Sequence, residues 1–441
     1  MTSVGRCHLL DASVDPAPTP VRPRLTVLTV LLAGLAAFGA YFAMYAFRKP
    51  FAAATYADVA GWHGMVDYKT ALLIAQVIGY AVSKLIGVRA IAGAGRHGRA
   101  WRVLALIGAS WLALIGFALI PAPWNVACLF LNGLPLGLIW GLVFSYIEGR
   151  RTSDLLGAML CASFILSSGV VKSAAMLLMA AGVPEAWMPA ATGLAFVPVL
   201  LVSLWQLERL PPPDPRDEAE RVARVPMGAA ARLAFVRRHG MTLLLLVVSY
   251  VALTALRDMR DGFAAEIWTA LGFGGEAAVF SMSEIPIAAV TLGALGMLML
   301  VRDNRHALLA MHAMILTGAA LLGLATLAFQ AGLLAPLPWM IVTGAGLYLG
   351  YTPYNALLFD RMIAAIGTAA NAGFLIYIAD ASGYAGSVTL LLVRSLGAPQ
   401  VAWLPFFTTC CYATAIVVGV LTLLSALHFR QPQGVPRHAP A

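Results

Sequence analysis

Twelve apolar stretches, each about as long as the roughly 20 residues a helix needs to cross the hydrocarbon core of a bilayer, follow one another from residue 25 to residue 428. They fall at 25–47, 68–92, 103–120, 124–147, 156–181, 187–207, 241–263, 277–301, 308–329, 337–359, 369–393 and 402–428. Only 11% of the residues are charged, against about 25% in a soluble domain, so a water-soluble fold is excluded. In lipid the backbone must satisfy its own hydrogen bonds, and a single segment does so only as a helix. The fold class expected is therefore an all-α membrane protein with twelve transmembrane helices.

The longest polar connection separates the sixth span from the seventh. Residues 208–240 hold Pro211, Pro212, Pro213, Pro215 and Pro226 together with five acids and seven arginines, a composition that reads as a linker. The expected plan is a tail over 1–24, a six-helix bundle over 25–207, the linker 208–240, a second six-helix bundle over 241–428 and a tail over 429–441. The two halves repeat. Tyr41 to Arg48 overlays Tyr250 to Arg257 at an offset of 209, with Tyr, both Ala and Arg coinciding. Arg96 and Arg99 overlay Arg302 and Arg305 at an offset of 206, and Gly133-Leu-Pro-Leu-Gly137 overlays Gly346-Leu-Tyr-Leu-Gly350 at 213. Three matches in the right order and in equivalent spans point to a duplication, the pattern by which carriers build a central site between pseudo-symmetric bundles.

The net charge of +9 is explained by orientation, not by a polyanion partner. Arg96, Arg99 and Arg102, Arg150 and Arg151, the linker arginines, and Arg302 and Arg305 would all share one face, whereas the loops after spans 3, 5 and 9 carry no Lys or Arg. The positive-inside rule then puts both termini in the cytoplasm, in the cell inner membrane. The segment before Arg24 is polar and Pro-rich and lacks the apolar core of a secretory signal; it reads as a disordered tail. The five cysteines show no metal-ligand spacing. No nucleotide-binding loop, HExxH or GxSxG occurs, and no loop is long enough for a soluble catalytic domain. No catalytic, cofactor or metal residue is assigned; the partners expected are the bilayer and a small solute, with no nucleic acid, and a monomer.

Twelve spans in six-plus-six form with basic loops after spans 2 and 8 resemble the major facilitator superfamily. More narrowly, Tyr41 to Phe51 with Arg48-Lys49, Ser83-Lys84 through Gly87, and Leu131-Asn132-Gly133 through Trp140 to Glu148-Gly149-Arg150 resemble its organophosphate:phosphate antiporter branch. That resemblance implies two pseudo-symmetric bundles, contacts across the domain interface between spans 2 and 11 and between spans 5 and 8, and phosphate held by the matching arginines of spans 1 and 7 with help from the span 2 lysine. The sequence departs from the pattern in three places. Gly95-Arg96-His97-Gly98-Arg99 lacks the usual acid, leaving Glu148 as a candidate gating partner for Arg96 and Arg99; Ser163 falls where the branch carries a histidine; and Asp380 stands in a glycine-rich stretch.

A charge near the bilayer centre costs at least a few kcal/mol, so each one needs a partner, water or a ligand. Arg48 and Lys49 follow 23 apolar residues, about 34 Å of helix, and hydropathy alone leaves open whether they snorkel to an interface or enter a cavity. The repeat favours the cavity, because Arg257 is the equivalent of Arg48 and paired guanidinium forks suit an oxyanion; Asp258 and Asp261 are positioned to neutralise Arg257 locally. Depth along the spans matches Lys84 with Asp380 and Lys172 with Glu284, and the span contacts that the resemblance implies would make both of them interdomain ion pairs; the alternative is that each charge meets only pore water. If both form, Arg48 and Arg257 remain as a positive centre and the cargo is an anion. Tyr41, Tyr45, Tyr80, Ser163, Tyr354 and Tyr377 are candidate contacts for its organic part, and His312 reads as structural. The resulting expectation is a secondary transporter of a small organic anion. Its rivals are a non-transporting sensor of an external anion, and a proton-coupled symporter or exporter using Asp380 or Glu284.

Overall fold

The computed structural model describes residues 27–57, 59–92, 98–147, 153–211, 229–366 and 372–430. The first half comprises α1 (Val27–Tyr45), a 3-10 turn (Pro50–Ala53), α2 (Tyr68–Ala92), α3 (Arg99–Leu119), α4 (Val126–Ile147), α5 (Ser153–Ala180), α6 (Met188–Ala195) and α7 (Val197–Glu208). The second comprises α8 (Ala229–Gly262), α9 (Ala264–Ala270), α10 (Ala278–Met299), α11 (Asn304–Gln330), α12 (Pro336–Ala356), α13 (Leu358–Ile366), α14 (Ala372–Leu392) with a π turn at Val393–Gly397, and α15 (Trp403–Arg430).

Among the described residues nine helices are long and apolar enough to cross a membrane on their own, and α6 with α7, bent by 41°, forms a tenth span. The bend follows from Pro198, inside the first turn of α7, where the missing N–H is tolerated. The remaining two spans, α2 and α12, are less apolar because they carry the polar inner surface: Lys69, Gln76, Tyr80 and Lys84 on α2, and Thr343, Tyr348, Tyr351 and Tyr354 on α12. These make twelve transmembrane helices in two bundles, and helix packing repeats between them. In the first half α1 packs on α5 and α7, and α4 on α2 and α3; in the second α8 packs on α14 and α15, and α12 on α10 and α11. The halves meet through α5 against α10 and α2 against α14, which are spans 5 with 8 and 2 with 11.

The repeated glycines serve close approach. A Cβ on Gly133 would run into the Gln76 carbonyl of α2, and one on Gly346 would lie 2.6 Å from the Gly318 carbonyl of α11. Two expected boundaries shift. The last twelve residues assigned to the linker, from Ala229 on, are helical, and α8 changes direction at His239 (φ −115°, ψ 16°) before entering its apolar stretch. Span 1 ends as an α-helix at Tyr45 instead of running to residue 47. The 1–24 tail, residues 212–228 of the linker and the tail from 431 lie outside the described residues.

Candidate functional site

Pro50 decides where the site lies. Its ring would collide with the carbonyl of Ala46 in a continuous helix, so α1 stops at Tyr45 and the chain runs on as tight turns, with Phe47 N–H bonding to Met44 O and Arg48 N–H to Tyr45 O, each 3.0 Å. The carbonyls freed by the break need partners in lipid. Asn132 Nδ2 donates to Phe47 O at 3.0 Å and Gln76 Nε2 to Arg48 O at 2.9 Å, while Gln76 Nε2 also donates to Asn132 Oδ1 and Asn132 Nδ2 to Ser110 Oγ. Side chains from α2, α3 and α4 thus fix an irregular backbone inside the bundle. Arg48 and Lys49 are only 6% and 7% exposed there.

Arg48 faces aromatic rings. Its guanidinium carbon lies 3.8 Å from the centroid of Tyr80 and 5.6 Å from that of Tyr45, and among the described residues it has no carboxylate partner. Its Nε is buried without a hydrogen bond. Arg257, on α8, instead donates through Nε and Nη2 to Asp258 Oδ1 at 3.1 and 2.7 Å and lies 4.3 Å from the centre of the Tyr351 ring. The other Asp258 oxygen accepts from Ser387 at 2.7 Å. Arg48 and Arg257 line one small central cavity together with Tyr45, Lys49, Ser168, Asp258, Asp261 and Tyr348. Its volume is about 10 Å³, room for about one water.

Four further ion pairs surround it. Asp261 accepts from Lys49, Lys172 and the Ser168 hydroxyl at once, so a carboxylate of the second half is held by two lysines of the first. Arg260 donates to Glu284 at 2.6 Å and to Met340 O at 3.2 Å. Lys84 pairs with Asp380 across the interface, and Asp380 Oδ1 accepts from Tyr250 at 2.5 Å. Six cations therefore face four carboxylates. Two positive charges are in surplus: Arg48, and one of the two lysines that share Asp261.

The bridges between halves continue to the face opposite the chain termini, the distal face. Lys69 donates to both oxygens of Glu266 at 2.7 and 2.8 Å and to Ala52 O at 3.0 Å. Arg394 Nη1 lies 3.7 Å from Asp67 Oδ2, and Ser173 donates to Ala277 O at 2.6 Å. These contacts hold the two halves together at the distal face.

Several expected residues fall elsewhere. Lys172 does not pair with Glu284; depth matched α5 with α10 but overlooked α8, which brings Arg260 to Glu284 and Asp261 to Lys172. Ser163 turns its hydroxyl to the Leu160 carbonyl at 2.6 Å, and Ser168 lines the cavity in its place. Tyr41 packs edge-on against Tyr45, and Tyr354 is buried against Tyr250 and Phe359. Tyr377 is partly exposed on α14 and, like Tyr80 and Lys84, is not among the cavity's lining. Arg99 donates to Ser145 O at 2.9 Å near the end of α4, whereas Arg96 and Glu148 lie outside the described residues. Lys49, Ser168, Asp258, Asp261, Phe164 and Tyr348 also line the cavity. The acids had a signal, Arg257-Asp258-x-x-Asp261 in an apolar span; nothing in the sequence marks Phe164 or Tyr348.

This arrangement of two six-helix bundles around a charged centre is the fold of major facilitator-type carriers. A crystal structure of a D-xylose-proton symporter matches with a TM-score of 0.59 at 14% identity, covering 92% of this chain and 97% of that one. A bacterial homologue of the human drug peptide transporters PepT1 and PepT2 matches at 0.58 and 15%, covering 91% and 97%. A POT family transporter in complex with a thioalcohol-conjugated peptide matches at 0.56 and 13%, covering 91% and 96%. No curated protein matches the sequence. The chain belongs to the family described as "Family of unknown function (DUF5690)", whose model matches residues 50–432.

Proposed function

We propose that this protein is a secondary active transporter that moves a small organic anion across the cell inner membrane by alternating access, with both termini in the cytoplasm. The observation that carries this reading is that Arg48 and Arg257, one from each half, line a single cavity, and that the six cations and four carboxylates in and around it leave two positive charges in surplus. An anion entering between the halves would meet the free Nε of Arg48 and compete with Asp258 and Asp261 for Arg257, Lys49 and Lys172. The closed cavity has no room for an organic molecule, so loading requires the halves to part, as alternating access supplies. The fold shared with a D-xylose-proton symporter and with peptide transporters supports the transporter class, and the antiporter-like segments around Arg48 and Lys84 make phosphorylated metabolites the first cargoes to try.

Counterflow in proteoliposomes, with a panel of phosphorylated, carboxylated, neutral and cationic metabolites, tests this. Exchange of one labelled anion is expected; exchange confined to a neutral or cationic solute overturns the reading. Proton coupling through Asp380 is a second mode, because its carboxylate pairs with Lys84 across the two halves and neutralising it would weaken that interdomain bond. Uptake whose pH dependence disappears in Asp380→Asn supports it, and unchanged dependence removes it.

A further inference from the structure

A second cavity, of about 180 Å³, opens at the distal face between the two halves. That is well below the roughly 300 Å³ at which pockets for drug-sized ligands begin. Met176, Met179 and Glu185 of the first half face Trp268, Phe273 and Phe280 of the second across it. Trp268 and Phe280 are buried, and Phe273 is set edge-on to Trp268 at 5.5 Å. Aromatic faces and thioethers make a polarisable wall that attracts cations and apolar groups alike.

Glu185, in the loop between α5 and α6, is the one charged side chain among the described residues that line this cavity. The neighbouring cation, Lys69, already spends its three protons on the two oxygens of Glu266 and on Ala52 O, and among the described residues no ion pair is formed by Glu185. Partial burial raises its carboxyl pKa above the ordinary value, with Lys69 and the backbone N–H of Tyr56 pulling the other way. Tyr56 adopts a left-handed backbone (φ 50°) at this turn, a conformation that disfavours bulky side chains. Lys69 is matched by Glu266, so Glu185 leaves one uncompensated negative charge beside the aromatic chamber. This is the opposite sign to the central site.

We propose that the distal cavity binds a small organic monocation, an ammonium carrying an apolar group, with Glu185 pairing the charge and the Trp268, Phe273 and Phe280 rings taking the apolar body. Because the walls come from both halves, occupancy favours the conformation in which the halves are held together at the distal face and opposes their parting, by the differential affinity of the two states. The inference does not depend on the cargo of the central site.

The test uses the full chain with Thr269→Cys, a position in the cavity lining, and a neutral maleimide, with native cysteine reactivity subtracted from the unsubstituted protein. At about four times its dissociation constant, benzyltrimethylammonium is expected to slow modification about fivefold, because only the unoccupied protein reacts. Benzoate, with the same ring and the opposite charge, should not protect. Glu185→Gln should raise the protecting concentration about tenfold, each variant's rate being referred to its own rate without the probe. Thr55→Cys repeats the measurement from the other wall if Thr269→Cys impairs folding. Equal protection by benzoate, or full protection in Glu185→Gln, overturns the proposal. So does the absence of saturable benzyltrimethylammonium binding to the unsubstituted protein in equilibrium dialysis.

Discussion

The two halves place an arginine at the same point of their repeat and then treat it differently. In the first half the next residue is Lys49, and Pro50 breaks the helix, so Arg48 sits in a turn against Tyr80 with no carboxylate partner among the described residues. In the second half the next residue is Asp258, no proline intervenes, and Arg257 stays on a continuous helix pinned to its neighbour. One exchange of Lys for Asp makes the first half basic and leaves the second neutral at that level. The repeated helix packing supplies the frame, and single positions set the charge. The first half holds the open charge and the second half holds the carboxylate, Asp261, that its lysines grip while the halves are held together at the distal face.

The comparison breaks most completely if Arg48 is removed. Arg48→Ala is expected to lower anion counterflow at least about 100-fold, the upper end for losing a fork of charge-assisted hydrogen bonds, and Arg257→Ala only about tenfold, because Asp258 already engages that guanidinium. Equal losses would mean the halves contribute alike. Asp261→Asn leaves Lys49 and Lys172 buried without a counter-charge, a loss of about 3 kcal/mol or more when one partner of a buried pair is deleted. A lower unfolding temperature in detergent, together with faster labelling of cysteines placed at the distal face, is the expected readout. The exchange Lys84→Asp with Asp380→Lys should recover most of the uptake that either single change abolishes; no recovery would show that the pair is incidental. Asp258→Asn makes the halves more alike by freeing Arg257, and should tighten anion binding severalfold in a competition assay. Smallest of all, Ser163→Ala should change counterflow less than about twofold, since a hydroxyl that bonds to its own helix contributes little, whereas Ser168→Ala, which removes a donor from Asp261, should do measurably more.

The spans and their two-by-six grouping were legible, because hydrophobicity over some 20 residues is a local property that lipid enforces. The pairing of Lys84 with Asp380 was within reach for a related reason: depth along a span is also readable residue by residue. The same counting failed for Lys172 and Glu284, since depth says nothing about azimuth, and a third helix, α8, presented Arg260 and Asp261 at the same height. Ser163 failed likewise. It lies in the expected span, yet its hydroxyl faces its own helix while Ser168, five residues on, faces the cavity.

What the sequence determined on its own was the solvent of this protein: its length of apolar runs admits lipid-spanning helices and nothing else, and its internal repeat pairs Arg48 with Arg257. What only the tertiary structure decided was which charge neutralises which. Ion pairing depends on distances of a few ångströms between side chains from different helices, and those are set by how the helices rotate and pack, which no single stretch of chain encodes. The break at Pro50 joins the two levels, a local steric rule whose effect on Arg48 is realised only because Gln76 and Asn132 arrive from elsewhere in the chain to receive the freed carbonyls.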